Sequence, residues 1–185
     1  MCLEANLRKF LFAFLLVASP AFAQDQAAEA RVAAGCGPAS VEFSVKTNKA
    51  QHPAPQPESG KALVYILEEV KTDDLGFKIG GVTMRLGLDG SWIGATSSQS
   101  YLFFPVDPGD HHLCANWQSS LGSRSKLGSA LSLTAEAGKV YFFRAKVYAI
   151  TDRDHPLGMK LEAIDPAEAQ FLISSFALST SHPKK

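Results

Sequence analysis

One stretch constrains the chain more than any other: Gln99–Gln118, QSYLFFPVDPGDHHLCANWQ. Tyr101–Val106 and His111–Trp117 are rich in strand-favouring aromatic and apolar residues, and Asp107-Pro108-Gly109-Asp110 stands between them. Proline presets φ near about −65° and glycine admits positive φ, so these four residues predict a turn and the stretch reads as a β-hairpin. Strand residues alternate faces, which puts His111, Leu113, Ala115 and Trp117 on one side and His112, Cys114 and Asn116 on the other.

Strand signals recur on both sides of this stretch. Ala62–Leu67 is a continuous apolar run, as in a strand buried on both faces. Gly80–Leu88 alternates, with Val82, Met84, Leu86 and Leu88 on one face and Thr83 and Arg85 on the other. Asp89-Gly90 then predicts a type I′ turn into Ser91–Ala95. Ala130–Leu133, Val140–Tyr148 and Lys160–Ile164 are further strands, with Tyr141, Phe143, Ala145 and Val147 inward and Arg144 and Lys146 outward. Glu68–Gly76 and the Ser/Gly-rich Ser119–Ser129 read as loops. Asp165-Pro166-Ala167-Glu168 starts a helix of about 11 residues: Asp caps it, Pro takes its first position, and Ala169, Leu172, Ile173 and Phe176 form one apolar stripe. Many short strands and one late helix predict a mainly β fold, an antiparallel β-sandwich with one C-terminal helix.

The N-terminus sets the compartment. Arg8 and Lys9, the apolar run Phe10–Ala18 and Ala21-Phe22-Ala23 have the layout of a cleaved signal peptide over residues 1–23, and the run is too short to span a membrane. Export, to the periplasm before the medium, is expected, with no membrane span after cleavage. The leader takes Glu4, Arg8 and Lys9 from a chain with 18 basic and 18 acidic residues. The net charge near −1 that remains gives no reason to expect nucleic acid as a partner. Of three cysteines, Cys2 leaves with the leader, and Cys36 and Cys114 are expected to form a disulfide in an oxidising compartment. Ala33-Ala34-Gly35-Cys36 has a faint lipobox look, but the polar stretch Gln24–Arg31 separates it from the apolar run. Residues 24–59 read as a partly disordered, Pro-rich arm in which Val41–Val45 alternates like a short strand and His52–Pro57 is extended. Residues 60–178 read as the sandwich and 179–185 as a frayed tail.

Gly60-Lys61-Ala62-Leu63-Val64-Tyr65, then Leu88-Asp89-Gly90 with Ile93-Gly94, then Tyr101 and Phe103 before Pro108-Gly109-Asp110-His111, then Ala135–Phe142 form an ordered set. In this order they resemble the bacterial domain-of-unknown-function family 2846, from about Gly60 to Ile173. The resemblance implies an exported, often lipid-anchored, β-rich domain with no assigned enzymatic activity, and it brings no catalytic residues. The Pro-Gly-x-His turn is more loosely similar to PEGA-type surface β-domains. Unlike the lipoprotein members, this chain has no clear lipobox.

Candidate chemistry is sparse. His111 and His112 point to opposite faces, whereas zinc needs three or four converging ligands; His112 has Cys114 on its face, with His52 or His155 the nearest further candidates. There is no G-x-S-x-G elbow, and a Cys114 held in a disulfide is no nucleophile. Asp152, Asp154 and His155 lack the glycine and distal glutamate of a calcium loop, as does Asp73-Asp74. Tyr101, Phe103, Phe104, Trp117, Tyr141, Phe142, Phe143 and Tyr148 are expected in the core or in cross-strand pairs. Trp92 and Trp117 lie near loops. The reading is a non-enzymatic binding or interaction module of the bacterial envelope, monomeric and without cofactor, facing an envelope protein or surface ligand. Its expected contact residues are Trp92, Asp107, Asp110, His111, His112, Trp117, Arg124 and Lys126, on loops carried by a rigid scaffold. The alternative is a periplasmic metal-binding protein using His112 and its neighbours.

Overall fold

Alternation and turn chemistry produce, in chain order, β1 (Phe43–Asn48), β2 (Ala62–Glu69), β3 (Thr83–Leu88), β4 (Ser91–Ser97), β5 (Ser100–Val106), β6 (Gly109–Gln118), β7 (Gly128–Ala135), β8 (Val140–Ala149), β9 (Leu157–Ala163), helix α1 (Pro166–Ser175) and β10 (Ala177–Pro183). The computed structural model describes residues 36–70, 82–118, 127–149 and 157–185. The leader, residues 24–35, Asp73-Asp74, residues 119–126 with Arg124 and Lys126, and Asp152, Asp154 and His155 lie outside them.

The strands form a six-stranded sheet, β1-β10-β5-β2-β8-β9, and a four-stranded sheet, β4-β3-β6-β7. The second is antiparallel throughout; the first includes two parallel pairs, β10 with β5 and β2 with β8. The fold is mainly β with one C-terminal helix, as the strand pattern predicts. Between the sheets lies a core of Val64, Ile66, Met84, Leu86, Leu113, Ala115, Trp117, Phe143, Ala145 and Val147. β2 is buried on both faces: Leu63, Tyr65 and Leu67 turn away from that core and join Tyr101 and Phe176 in a second cluster, against which Leu172 and Ile173 pack. This is why the sequence of β2 is apolar at every position from Ala62 to Leu67. Asp165 caps α1 by accepting from the amides of Ala167 and Glu168 at 2.9 and 3.0 Å.

Asp89 and Gly90 take φ of 50° and 80° and close the β3–β4 hairpin, the left-handed pair a type I′ turn requires. The other predicted hairpin does not form. β5 pairs with β2 and β10, whereas β6 pairs with β3 and β7. Asp107-Pro108 is therefore an arch from one sheet to the other. Pro-Gly chemistry turns a chain equally well either way, and the partners of each strand decide which.

Two further corrections concern boundaries. The tail expected to fray from residue 179 instead belongs to β10, which pairs antiparallel with β1 from Phe43↔Pro183 to Asn48↔Leu178. The arm thus contributes an edge strand to the larger sheet, and residues 43–48 and 177–183 complete it together. The loop expected to run to Ser129 ends earlier, because Gly128 and Ser129 are in β7.

Serine hydroxyls close both seams of the sandwich. The Ala95 amide of β4 donates to Ser181 Oγ of β10 at 2.8 Å, and the Leu161 amide of β9 donates to Ser129 Oγ of β7 at 2.9 Å. Ala95 is fully buried, so Ser181→Ala strands its amide. The expected loss is about 1–2 kcal/mol, read as a lower urea midpoint at unchanged m-value; an unchanged midpoint would show that the seam carries no stability.

Candidate functional site

The N-terminal segment crosses the outer face of the four-stranded sheet. Cys36 and Cys114 stand at disulfide distance, their Cα atoms 5.7 Å apart. Gly87 makes this approach possible: a Cβ there would collide with the Cys36 carbonyl and with Cys114 Sγ. Beyond Cys36 the arm covers Arg85, whose guanidinium donates to the carbonyls of Ala39 (3.0 Å) and Val41 (2.8 Å) and to Asn116 Oδ1, and lies 4.6 Å over the ring of Trp92. The Trp92 indole donates to Pro38 O at 2.8 Å. Trp92 is therefore a clasp for the arm.

Trp117 is not a surface residue. It is 3% exposed and packs between the sheets opposite Met84, because its alternation phase within β6 places it with Leu113 and Ala115. Asp107, Asp110, His111 and His112 surround the arch. His111 Nδ1 is 2.7 Å from Asp89 Oδ2 and Nε2 is 2.7 Å from Asp107 O. Both partners only accept, so making both bonds requires an imidazolium. The hydrogen bond with Asp89 and then that with Asp107 raise the His111 pKa above its ordinary value. Asp89 is held below the usual carboxylate range, first by the His112 amide. Asp107 pairs with Lys61 at 3.4 Å, and Asp110 accepts from Thr134 Oγ1 at 2.6 Å. His112 is exposed on the opposite face of β6 from His111. No group of three or more His, Cys, Asp or Glu able to hold a metal comes together among the described residues. No described helix is long and apolar enough to cross a membrane.

Two ionisable groups escape a reading by sequence pattern. Glu68, placed by sequence in a charged loop, is fully buried in β2 and accepts from the Ser98 amide at 3.0 Å. Burial pushes its carboxyl up to about 8, against the opposing hydrogen bonds of Thr96 and Ser98. Ser98 and Gln99 are consecutive non-glycine residues with φ of 39° and 42°, a strained corner between the sheets. Glu68 pins it. Arg144 meets Glu162 and Glu168 at 2.6 Å each and Glu69 at 3.2 Å, tying α1 to β8, β9 and β2.

A recess with room for a ligand lies, among the described residues, on the outer face of the larger sheet. Strand register aligns Phe103 of β5, Tyr65 of β2 and Phe142 of β8 in one row. Ring centroids are 5.2 Å apart between Tyr65 and Phe103 and 5.1 Å between Tyr65 and Phe142. The segment between β1 and β2 runs along this face, with His52 stacked on Tyr101 at 6.5 Å and Tyr101 Oη donating to Gln51 O at 3.4 Å. Its prolines favour an extended path without internal hydrogen bonds. On the other side stands α1, whose Pro166, Gln170 and Ile173 share one face. A groove of about 400 Å³ results. Its walls are His52, Pro53, Ala54, Pro55 and Gln56 on one side, Tyr65, Val140 and Phe142 beneath, and Pro166, Gln170 and Ile173 on the other.

Of the candidates from sequence, His52 and Phe142 line this groove, the first considered as a metal ligand and the second as a core or cross-strand aromatic; none of the expected contact residues does. The outward alternates Tyr65 and Phe142, read beside the Pro-rich run, are the available signal, yet they become neighbours only through the parallel pairing of β2 with β8. No protein-family model, curated protein or solved structure matches the chain.

Proposed function

We propose that the chain is an exported, non-enzymatic binding module of the bacterial envelope, akin to the family-2846 domains it resembles, and that its ligand seat is the groove beneath residues 52–56. The groove carries the reading: a concave, mostly apolar recess of about 400 Å³ on a rigid sheet falls within the size range of small-molecule sites. The layout of residues 1–23 supports export. The Cys36–Cys114 pair, at disulfide distance, suits an oxidising compartment, and we take the two to be joined there.

Nile red, an uncharged dye that brightens in apolar sites, tests the seat. Val140 lines the groove and is 37% exposed, so Val140→Arg obstructs it without opening the core. The expected result is dye binding by the wild type that weakens by roughly tenfold, about 1.4 kcal/mol, in Val140→Arg at unchanged melting temperature. Equal dye binding by both would move the ligand seat elsewhere.

A further inference from the structure

Resting on the reading of the groove as a ligand seat, we infer that its ligand is a free, uncharged small molecule bearing a planar aromatic ring. The first ground is charge. Among the described residues, no Asp, Glu, Lys or Arg lines the groove, and the lining residues with polar side chains are Tyr65, Gln56, Gln170 and His52. A carboxylate or ammonium moved there from water would meet no fixed counter-charge. Neutral hydrogen-bonding groups would find partners.

The second ground is shape. Tyr65 and Phe142 are stacked, with 28° between their planes; Tyr65 is buried and backs Phe142, the partly exposed ring of the pair on the sheet side. Pro53 and Pro55 form part of the facing wall. A flat ring gains offset stacking on the aromatic side that a puckered aliphatic ring of similar size does not, a difference of about three- to tenfold in affinity. The third ground is size. About 400 Å³ lies towards the small end of ligand pockets, whereas a specific polypeptide partner covers a far larger surface. A free molecule fits the recess better than an aromatic side chain of a bound protein.

Three probes separate the parts of this inference: indole, cyclohexanol and indole-3-acetate, titrated into isotopically labelled protein and followed through the methyl signals of Val140 and Ile173. Indole is expected to bind about three- to tenfold more tightly than cyclohexanol, and more than about tenfold more tightly than indole-3-acetate. Phe142→Leu, which keeps the site apolar, should weaken indole by about three- to tenfold and leave cyclohexanol unchanged. Cyclohexanol binding as well as indole would overturn the aromatic preference while leaving the seat in place. Indole-3-acetate binding as well as indole would overturn the requirement for neutrality. Silence of both methyls with all three probes would overturn the seat and the inference together.

Discussion

Cys36→Ala or Cys114→Ala is expected to lower stability by about 4 kcal/mol. The two residues are 78 apart in sequence, and a cross-link closing a loop of that length restricts the unfolded chain by about 4–4.5 kcal/mol in the chain-entropy argument. The native state loses contacts as well. Cys36 is fully buried and Cys114 is 3% exposed, and the segment just beyond Cys36 supplies the carbonyls that cap Arg85 and Trp92. Guanidinium unfolding of wild type and Cys36→Ala, each with and without dithiothreitol, measures the effect. Wild type in dithiothreitol should fall to the level of the variant, and the variant should ignore the reagent. A variant within about 1 kcal/mol of untreated wild type would show that the cross-link does not hold the arm.

Glu68→Gln is expected to remove a large pH dependence from the stability of the fold. The Glu68 carboxyl lies near 8 in the folded protein, against an ordinary value of 4.5. Between these values the native state holds a proton that the unfolded state has released, so stability falls as pH rises from about 4.5 to about 8. The decline is on the order of 4 kcal/mol, at about 1.4 kcal/mol per pH unit. Glutamine keeps a neutral group of the same shape and an oxygen for the Ser98 amide. Its urea midpoint, compared with wild type at pH 5, 6, 7 and 8, should be close at pH 5 and increasingly higher toward pH 8. His111 and the surface carboxylates titrate alike in both proteins, so the difference isolates Glu68. A constant difference across the series would mean that Glu68 is ionised throughout.

What was legible in the sequence was local. Alternation located the inner face of β3 and β8, Asp89-Gly90 set a hairpin, the unbroken apolar run of β2 marked a doubly buried strand, and Asp165-Pro166 started the helix. These signals need only neighbouring residues. The arch at Asp107-Pro108 was not legible, because its turn chemistry is that of a hairpin and only the partners of β5 and β6 reveal the change of sheet. β10 was hidden by composition: its buried Ser179 donates to Ser100 Oγ at 2.6 Å, so a polar residue stands where alternation looks for an apolar one. Its pairing with β1 joins the two ends of the described chain. Glu68 was misplaced for a related reason, since a carboxyl is read as exposed until the amide it accepts from is known. The groove is the extreme case. Residues 52–56, Tyr65, Phe142 and α1 come from four separate parts of the sequence, and tertiary pairing alone assembles them.

The claim that the groove is occupied in life is tested most directly by native mass spectrometry of the chain recovered from cells that produce it. Wild type should carry a small-molecule adduct that absorbs in the near ultraviolet, and Val140→Arg from the same cells should be bare. Bare protein in both samples, or the same adduct on both, would contradict the account.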